Sequence, residues 1–190
     1  MDKSLYNKPQ FRKAAGLTLR PGGLAITEKG LEFCDWKGKA LVADIGCGLG
    51  ASLKLMRAKG LHPVGLDTCL DSVLEARANS GCPTVLGRAE QLPWHGEYLD
   101  GLVCECVLSL TEDQPVVLKE FHRVLKTGGK LLLSDISLIS LDDRSLFQNE
   151  TCLKGATHPD KTLTRLSDVG FTVRLVTEYP DALKELAAQL

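Results

Sequence analysis

A chain of 190 residues with 44% hydrophobic and 25% charged side chains has the length and composition of a single globular domain able to bury a core. Its net charge of −1, with basic residues scattered, offers no basic footprint for nucleic acid, and no apolar run approaches the roughly 18 residues of a membrane span. The opening Met1-Asp2-Lys3-Ser4 lacks an apolar signal core, and the seven cysteines include no Cys-x-x-Cys pair and no cysteine–histidine cluster, so free thiols, no zinc site and a cytoplasmic location are expected.

Residues 1–23 are polar and irregular and close with Arg20-Pro21-Gly22-Gly23. A short helix is predicted over Thr27–Phe33, with Ile26, Leu31 and Phe33 as its apolar contacts. A strand at 41–45, a helix at 51–59 stopped by Gly60 and a strand at His62–Leu66 then make a βαβ unit, which imposes a parallel sheet. A helix follows over Asp71–Asn79, with strands at Thr84–Leu86 and Gly101–Cys106. In the helix expected over 112–126, Thr111 and Gln114 form a capping box, Pro115 fits the first turn and Gly128 suits a left-handed stop. Its buried stripe is Val117, Phe121, Val124 and Leu125. Beyond it come a strand at Lys130–Ser134, a helix at Asp160–Val169 ended by Gly170, a strand at Phe171–Glu178 and a helix at Asp181–Leu190. The expected fold class is therefore α/β, a Rossmann-like doubly wound and mainly parallel sheet in one domain over 1–190. Within it, 1–23 is an N-terminal arm, 24–136 the ligand-binding core and 137–190 the substrate-side and C-terminal part, with 1–23 and 138–159 able to close as a lid.

The most informative stretch is Val42-Ala43-Asp44-Ile45-Gly46-Cys47-Gly48-Leu49-Gly50. Its glycines allow a sharp turn and close approach of a ligand to the backbone. The spacing Gly46-x-Gly48-x-x-Ala51 also satisfies a loose dinucleotide fingerprint, which keeps a nicotinamide-dependent oxidoreductase open, as does the bland reading of an ordinary tight turn. Asp44 argues for a different ligand, because a carboxylate at the mouth of the loop repels a pyrophosphate and attracts an ammonium and a sulfonium. Asp67 ends the second strand, well placed to accept from ribose hydroxyls. Of the few cationic nucleosides without phosphate, S-adenosylmethionine is the common one.

Five segments in order carry a family resemblance: Asp44-x-Gly46-x-Gly48-x-Gly50, Gly65-Leu66-Asp67, Gly87 to Pro93, Leu99-Asp100-Gly101, and Arg123 to Gly129. Together they resemble class I S-adenosylmethionine-dependent methyltransferases, in particular the small-molecule branch of ubiquinone/menaquinone C-methyltransferases and arsenite methyltransferases. Arg88 stands where that branch usually has an aspartate, and Thr127 replaces its usual proline. The resemblance implies a seven-stranded sheet, of which six strands are read before Leu190, so the last edge strand is expected to be missing, either because the sequence is truncated, the reading favoured here, or because this member has lost it. It implies that Asp44, Gly46, Cys47, Gly48 and Gly50 hold the methionine part, Asp67 and Thr68 the ribose, and Ala89 and Glu90 the adenine face. It also implies a backbone contact from Cys104, beside Glu105, whose side chain is either core or rim.

Methyl transfer from a sulfonium needs alignment and water exclusion more than acid–base help, so catalytic residues stay obscure. His95, in a loop read as lying at the carboxyl edge beside Trp94, is a candidate base or a surface residue. Asp135 faces the substrate or caps the next helix. Thr151-Cys152-Leu153-Lys154-Gly155-Ala156 and Cys106-Val107-Leu108-Ser109-Leu110 resemble arsenite methyltransferase segments, so Cys152 is either a ligand of a soft acceptor or an incidental thiol. The expectation is methyl transfer to a small-molecule acceptor with S-adenosyl-L-homocysteine as product, the alternatives being a thiol-type or arsenite methyltransferase, the oxidoreductase, and a non-catalytic cofactor-binding module. The acceptor atom and the oligomeric state are not legible.

Overall fold

The computed structural model describes residues 18, 20–138 and 155–182. Cys152, nearly all of the helix expected over Asp181–Leu190 and most of the two lid stretches lie outside the described residues. Helix α1 (Gly23–Cys34) begins at the Gly22-Gly23 pair, earlier than the sequence pattern suggested, and buries Thr27, Leu31 and Cys34 on one stripe. Phe33, expected to face inward, is off that stripe and 54% exposed.

Strand β1 (Leu41–Ile45), helix α2 (Ala51–Ala58) and strand β2 (His62–Asp67) form the first βαβ unit. Helix α3 (Leu70–Ser80), strand β3 (Thr84–Leu86), strand β4 (Leu99–Glu105), helix α4 (Gln114–Val124), strand β5 (Leu125–Ser134) and helix α5 (Pro159–Asp168) follow. The five strands lie in the order β3-β2-β1-β4-β5, every pairing parallel. The doubly wound α/β class read from the sequence is the architecture found.

Alternate residues of β1 serve opposite layers, as the two-residue period of a strand requires. Val42 packs with Leu31, Leu53, Met56 and Val103 on one face. Ala43 and Ile45 pack on the other with Leu102, Cys104 and the α4 residues Val117, Leu118, Phe121 and Val124. Phe121 is fully buried.

Three local expectations are corrected. Asp113, not Thr111, caps α4, its carboxylate accepting from Val116 N at 3.1 Å. Thr111 instead donates to Leu108 O at 2.7 Å, and the Gln114 amide donates to Gly155 O at 2.9 Å while its oxygen accepts from Arg165, so no capping box forms. The helix also stops at Val124, because Leu125 is already extended and pairs with Leu99 in the sheet. Gly128 is left-handed at φ +79°, but within β5, where the chain loops out between Leu125 and Lys130.

The third correction concerns Phe171–Glu178, which forms no strand among the described residues. Val173, Leu175 and Val176 stand exposed along it. The backbone bond from Phe171 N to Leu166 O at 2.9 Å only closes α5, and the far end is tethered by Lys29 over the Tyr179 ring at 5.4 Å. Alternation and β-branching make a segment fit a pleated surface, but a ladder partner makes it a strand.

Truncating Phe121 leaves a cavity between α4 and the sheet. Phe121→Ala is expected to lower the unfolding free energy by about 3–5 kcal/mol in urea denaturation, against about 0.5 kcal/mol or less for Phe33→Ala on the exposed side of α1.

Candidate active site

The carboxyl ends of β1, β2 and β4 meet where the sheet order reverses, the crevice in which open α/β sheets take ligands. The turn after β1 is built by positive-φ glycines. Gly46, at φ +73°, sits so close to Val107 that a Cβ would fall 2.3 Å from that side chain. Gly50, at φ +85°, lies against the Ala76 backbone of α3, where a Cβ would meet the carbonyl oxygen at 2.8 Å. Gly48, between them, has open space in the direction a Cβ would take.

The amides of this turn point inward. Gly46 N and Cys47 N both donate to Leu66 O, at 2.7 and 3.0 Å, and Gly48 N donates to Asp67 Oδ2 at 2.9 Å. Asp67 Oδ1 accepts from Cys69 N at 2.9 Å, just ahead of α3. The N–H groups that a phosphate-binding loop turns toward its ligand are thus engaged by a carbonyl and a carboxylate. Asp67 retains lone pairs on both oxygens beyond these two bonds.

The edge is acidic. Asp44, 4% exposed, stands near the end of β1 within electrostatic reach of Glu105, Arg20 and Asp67. Burial pushes its carboxyl up to about 7, Glu105 and Asp67 push the same way, and the Arg20 guanidinium opposes them. Glu105, buried at the end of β4, accepts from Thr27 Oγ1 at 3.1 and 3.0 Å and from Ser52 Oγ at 3.5 Å, and pairs with Arg20 at 2.8 Å. Burial still holds its carboxyl above the ordinary value, against Arg20 and the hydroxyls. Asp135, after β5, accepts from Ser109 N and Oγ at 2.7 and 2.6 Å and from Ile136 N at 2.8 Å, which makes it the brace of the 108–110 turn.

Other candidates fall into place differently. The Cys47 side chain packs in the core against Gly65, and Cys104 is fully buried. Burial raises both thiols well above their usual range, so these residues offer the crevice their backbone. Thr68 is exposed beside Asp67, and Ala89 is buried in the core. Glu90 pairs with Arg88 at 3.3 Å, which turns Arg88 toward its neighbour. His95 is a correction. Its loop leads into the start of β4, and its neighbours Trp94 and Tyr98 line a hollow with Leu41 and His62 at the starts of β1 and β2. That is the amino edge, a full strand length from the crevice, with the ring stacked edge-on to Tyr98 at 4.5 Å. His95 cannot act on a ligand at the other edge. Sequence reasoning also passed over Arg20, Thr27 and Ser52, whose side chains converge on Glu105.

Residues 43–133 match the family described as methyltransferase domain. Over that stretch the chain is similar to methyltransferase domains, and its fold is shared by solved methyltransferases. Malonyl-[acyl-carrier protein] O-methyltransferase of Hamiltonella defensa is 32% identical over 106 residues, 55% of this chain and 41% of that protein. Probable tRNA methyltransferase 9B of Mus musculus is 34% identical over 102 residues, 52% of this chain and 22% of that one. A methyltransferase structure from Bacillus halodurans superposes with a TM-score of 0.70 at 25% identity, covering 80% of this chain and 71% of that one. Phosphoethanolamine N-methyltransferase 2 of Haemonchus contortus, solved with S-adenosyl-L-methionine, shares the fold with a TM-score of 0.78 at 16% identity, over 94% of this chain and 44% of that one. The chain spans about half or less of the length of these curated relatives.

The cofactor is S-adenosylmethionine, and the residues present fit it: a buried acid beside the glycine turn suits an ammonium, and the Gly46, Cys47 and Gly48 amides are turned inward, away from where a diphosphate would need donors. The unliganded domain is strained at Asp44. Its carboxyl ionises at the ordinary value of 3.8 when unfolded and only near 7 when folded. Stability from this group is therefore complete below about pH 4 and is lost as pH rises to about 7. Asp44→Asn removes the charge at constant shape. At pH 8 it should raise the Tm of the unliganded protein by roughly 3–8 °C, and the two proteins should converge near pH 4.

Proposed function

We propose that this chain transfers a methyl group from S-adenosylmethionine to a small-molecule acceptor at the carboxyl edge of β1, β2 and β4. When bound, the cofactor would supply an electrophilic methyl group: the acceptor's lone pair would bond its carbon as the S–C bond breaks, the electron pair going to sulfur and the neutral thioether S-adenosylhomocysteine leaving. The protein's part is to bind, orient and keep water away. In this reading Asp44 receives the ammonium of the methionine end, with Gly46, Gly48 and Gly50 and the backbone of Cys47 giving it close approach. Asp67 and Thr68 face the ribose, Ala89 and Glu90 the adenine, and Cys104 contributes its backbone. The observation that carries the reading is Asp44, a buried carboxylate placed near the end of β1, directly ahead of the glycine turn.

An acceptor of low molecular weight is supported by charge. A crevice edged by Asp44, Asp67, Glu105 and Asp135 on a chain of net charge −1 repels a polyanion such as RNA. Calorimetric titration with S-adenosylhomocysteine tests the cofactor site. Affinity should rise about tenfold from pH 6 to pH 8 as Asp44 gives up its proton. In Asp44→Asn, binding should be weaker and its pH profile flat. No binding at millimolar ligand overturns the reading.

A second reading, a soft acceptor held by thiols such as a trivalent arsenical, is supported by one contact. A Cβ on Gly155 would fall 1.9 Å from Ser109 O, so the Gly155-Ala156 pair is seated on the turn that follows Cys106. Cys152 precedes Gly155 by three residues in the sequence, and Cys106 has a positive φ of +55°. Under this reading Cys106→Ser and Cys152→Ser each weaken arsenite binding by about tenfold or more, and unchanged binding removes it.

A further inference from the structure

We propose that the hollow at the amino edge of β1, β4 and β5 is a docking site for an acidic peptide segment of another protein, at the opposite end of the strands from the acidic crevice. The proposal does not depend on what the crevice binds.

Charge is divided along the strands. Asp44, Asp67, Glu105 and Asp135 stand at or near the carboxyl ends. Lys37 and Lys39, just ahead of β1, and Lys126 and Lys130, in the first half of β5, surround a hollow of about 560 Å³ at the other edge. The 7 residues of β4, at about 3.3 Å each, set the two edges about 20 Å apart, more than two Debye lengths at physiological salt. On a chain of net charge −1, a negatively charged partner is drawn to the lysines and turned away from the crevice.

The four lysines are not equivalent. Lys126 donates to Asp100 Oδ1 at 2.7 Å while Leu41 N donates to the other oxygen at 2.8 Å, and Lys37 pairs with Asp35. Two of the charges are thus answered within the wall. Lys130 donates to a neutral acceptor, Cys34 O, and Lys39 is exposed with no partner among the described residues. Those two charges are left for a ligand. Trp36 supplies an aromatic surface between them. Its Nε1 donates to Asp100 O at 3.1 Å, and its ring lies against Gly101, where a Cβ would fall 2.3 Å from it. The bare glycine lets the half-buried indole stand as a fixed side of the hollow.

This pattern selects among anions. A bilayer or a nucleic-acid backbone is anionic throughout and would press phosphates against Asp35 and Asp100 as well as against the lysines. A peptide can set carboxylates opposite Lys39 and Lys130 and neutral side chains opposite the aspartates and the indole. A second copy of this chain, paired symmetrically, would bring the same lysines. Because the chain loops out of the ladder between Leu125 and Lys130, the peptide is held by side chains and not as an added strand.

Fluorescence anisotropy at about 50 mM salt, with a labelled peptide of about ten residues alternating glutamate and alanine, tests the assignment. Wild type should bind it at least about tenfold more tightly than the same peptide with glutamine for glutamate. The double variant Lys39→Glu/Lys130→Glu should lose about tenfold or more. Lys54→Glu/Lys119→Glu changes exposed lysines of α2 and α4 with the same effect on net charge, and should stay within about twofold of wild type. In Trp94→Phe the sole tryptophan is Trp36, whose emission should shift as the peptide binds. Equal losses in the two double variants would reduce the effect to net charge and overturn the proposal, as would an unchanged Trp36 emission. A wild type that does not tell glutamate from glutamine overturns it without any variant. Displacement of the peptide by phosphatidylserine vesicles or an RNA oligonucleotide at equal total charge would give the hollow to a phosphate polyanion, and overturns it too.

Discussion

The crevice depends on one carboxylate. Asp67, at the end of β2, holds Gly48 N with one oxygen and Cys69 N with the other. It thereby fixes the turn after β1 to the start of α3, two pieces of chain about twenty residues apart in sequence. Leu66 O, one residue earlier, takes the Gly46 and Cys47 amides. With those donors turned inward, the surface left to a ligand consists of glycine backbone and acid side chains, and the preference for a cation over a phosphate follows. Asp67 is read as a ribose ligand from sequence, and the structure gives it a structural duty as well, which its two oxygens can combine with further acceptor contacts.

Those elements that rest on their own residues were legible from sequence. In β1 through α3 apolar periodicity, glycine stops and a βαβ spacing all agree, and the structure reproduces them to within a residue or so. Features decided by a distant partner were not. Phe171–Glu178 has the composition of a strand and lacks a neighbour to pair with among the described residues, while the start of β5 is set by Leu125 meeting Leu99 across the sheet. Sequence reading assigned the cap of α4 to Thr111, but the 3-10 turn at Leu108–Leu110 claims Thr111 for itself and Asp113 takes the role.

The site divides in the same way. Asp44, Asp67 and the glycines announce themselves by standing at the ends of apolar strands. Glu105 carries a comparable signal, an acid closing the buried run of β4, but its meaning depends on Arg20 from a segment with no pattern of its own. The placement of His95 was available in principle: a loop that leads into a parallel strand lies at the amino edge, whatever its chemistry.

The loop in β5 has a consequence for how the molecule behaves in company. Between Leu125 and Lys130 four residues face a single one, Asp100, of the neighbouring strand, with Lys126 drawn in to that aspartate at 2.7 Å and Gly128 in a left-handed conformation. Such a kink spoils the regular row of donors and acceptors that another polypeptide needs for backbone pairing, and lysines at both ends add mutual repulsion between copies. Among the described residues β5 is the last strand on this side, and its first half is thus defended against edge-to-edge aggregation while the straight run Leu131–Ser134 remains a usable template.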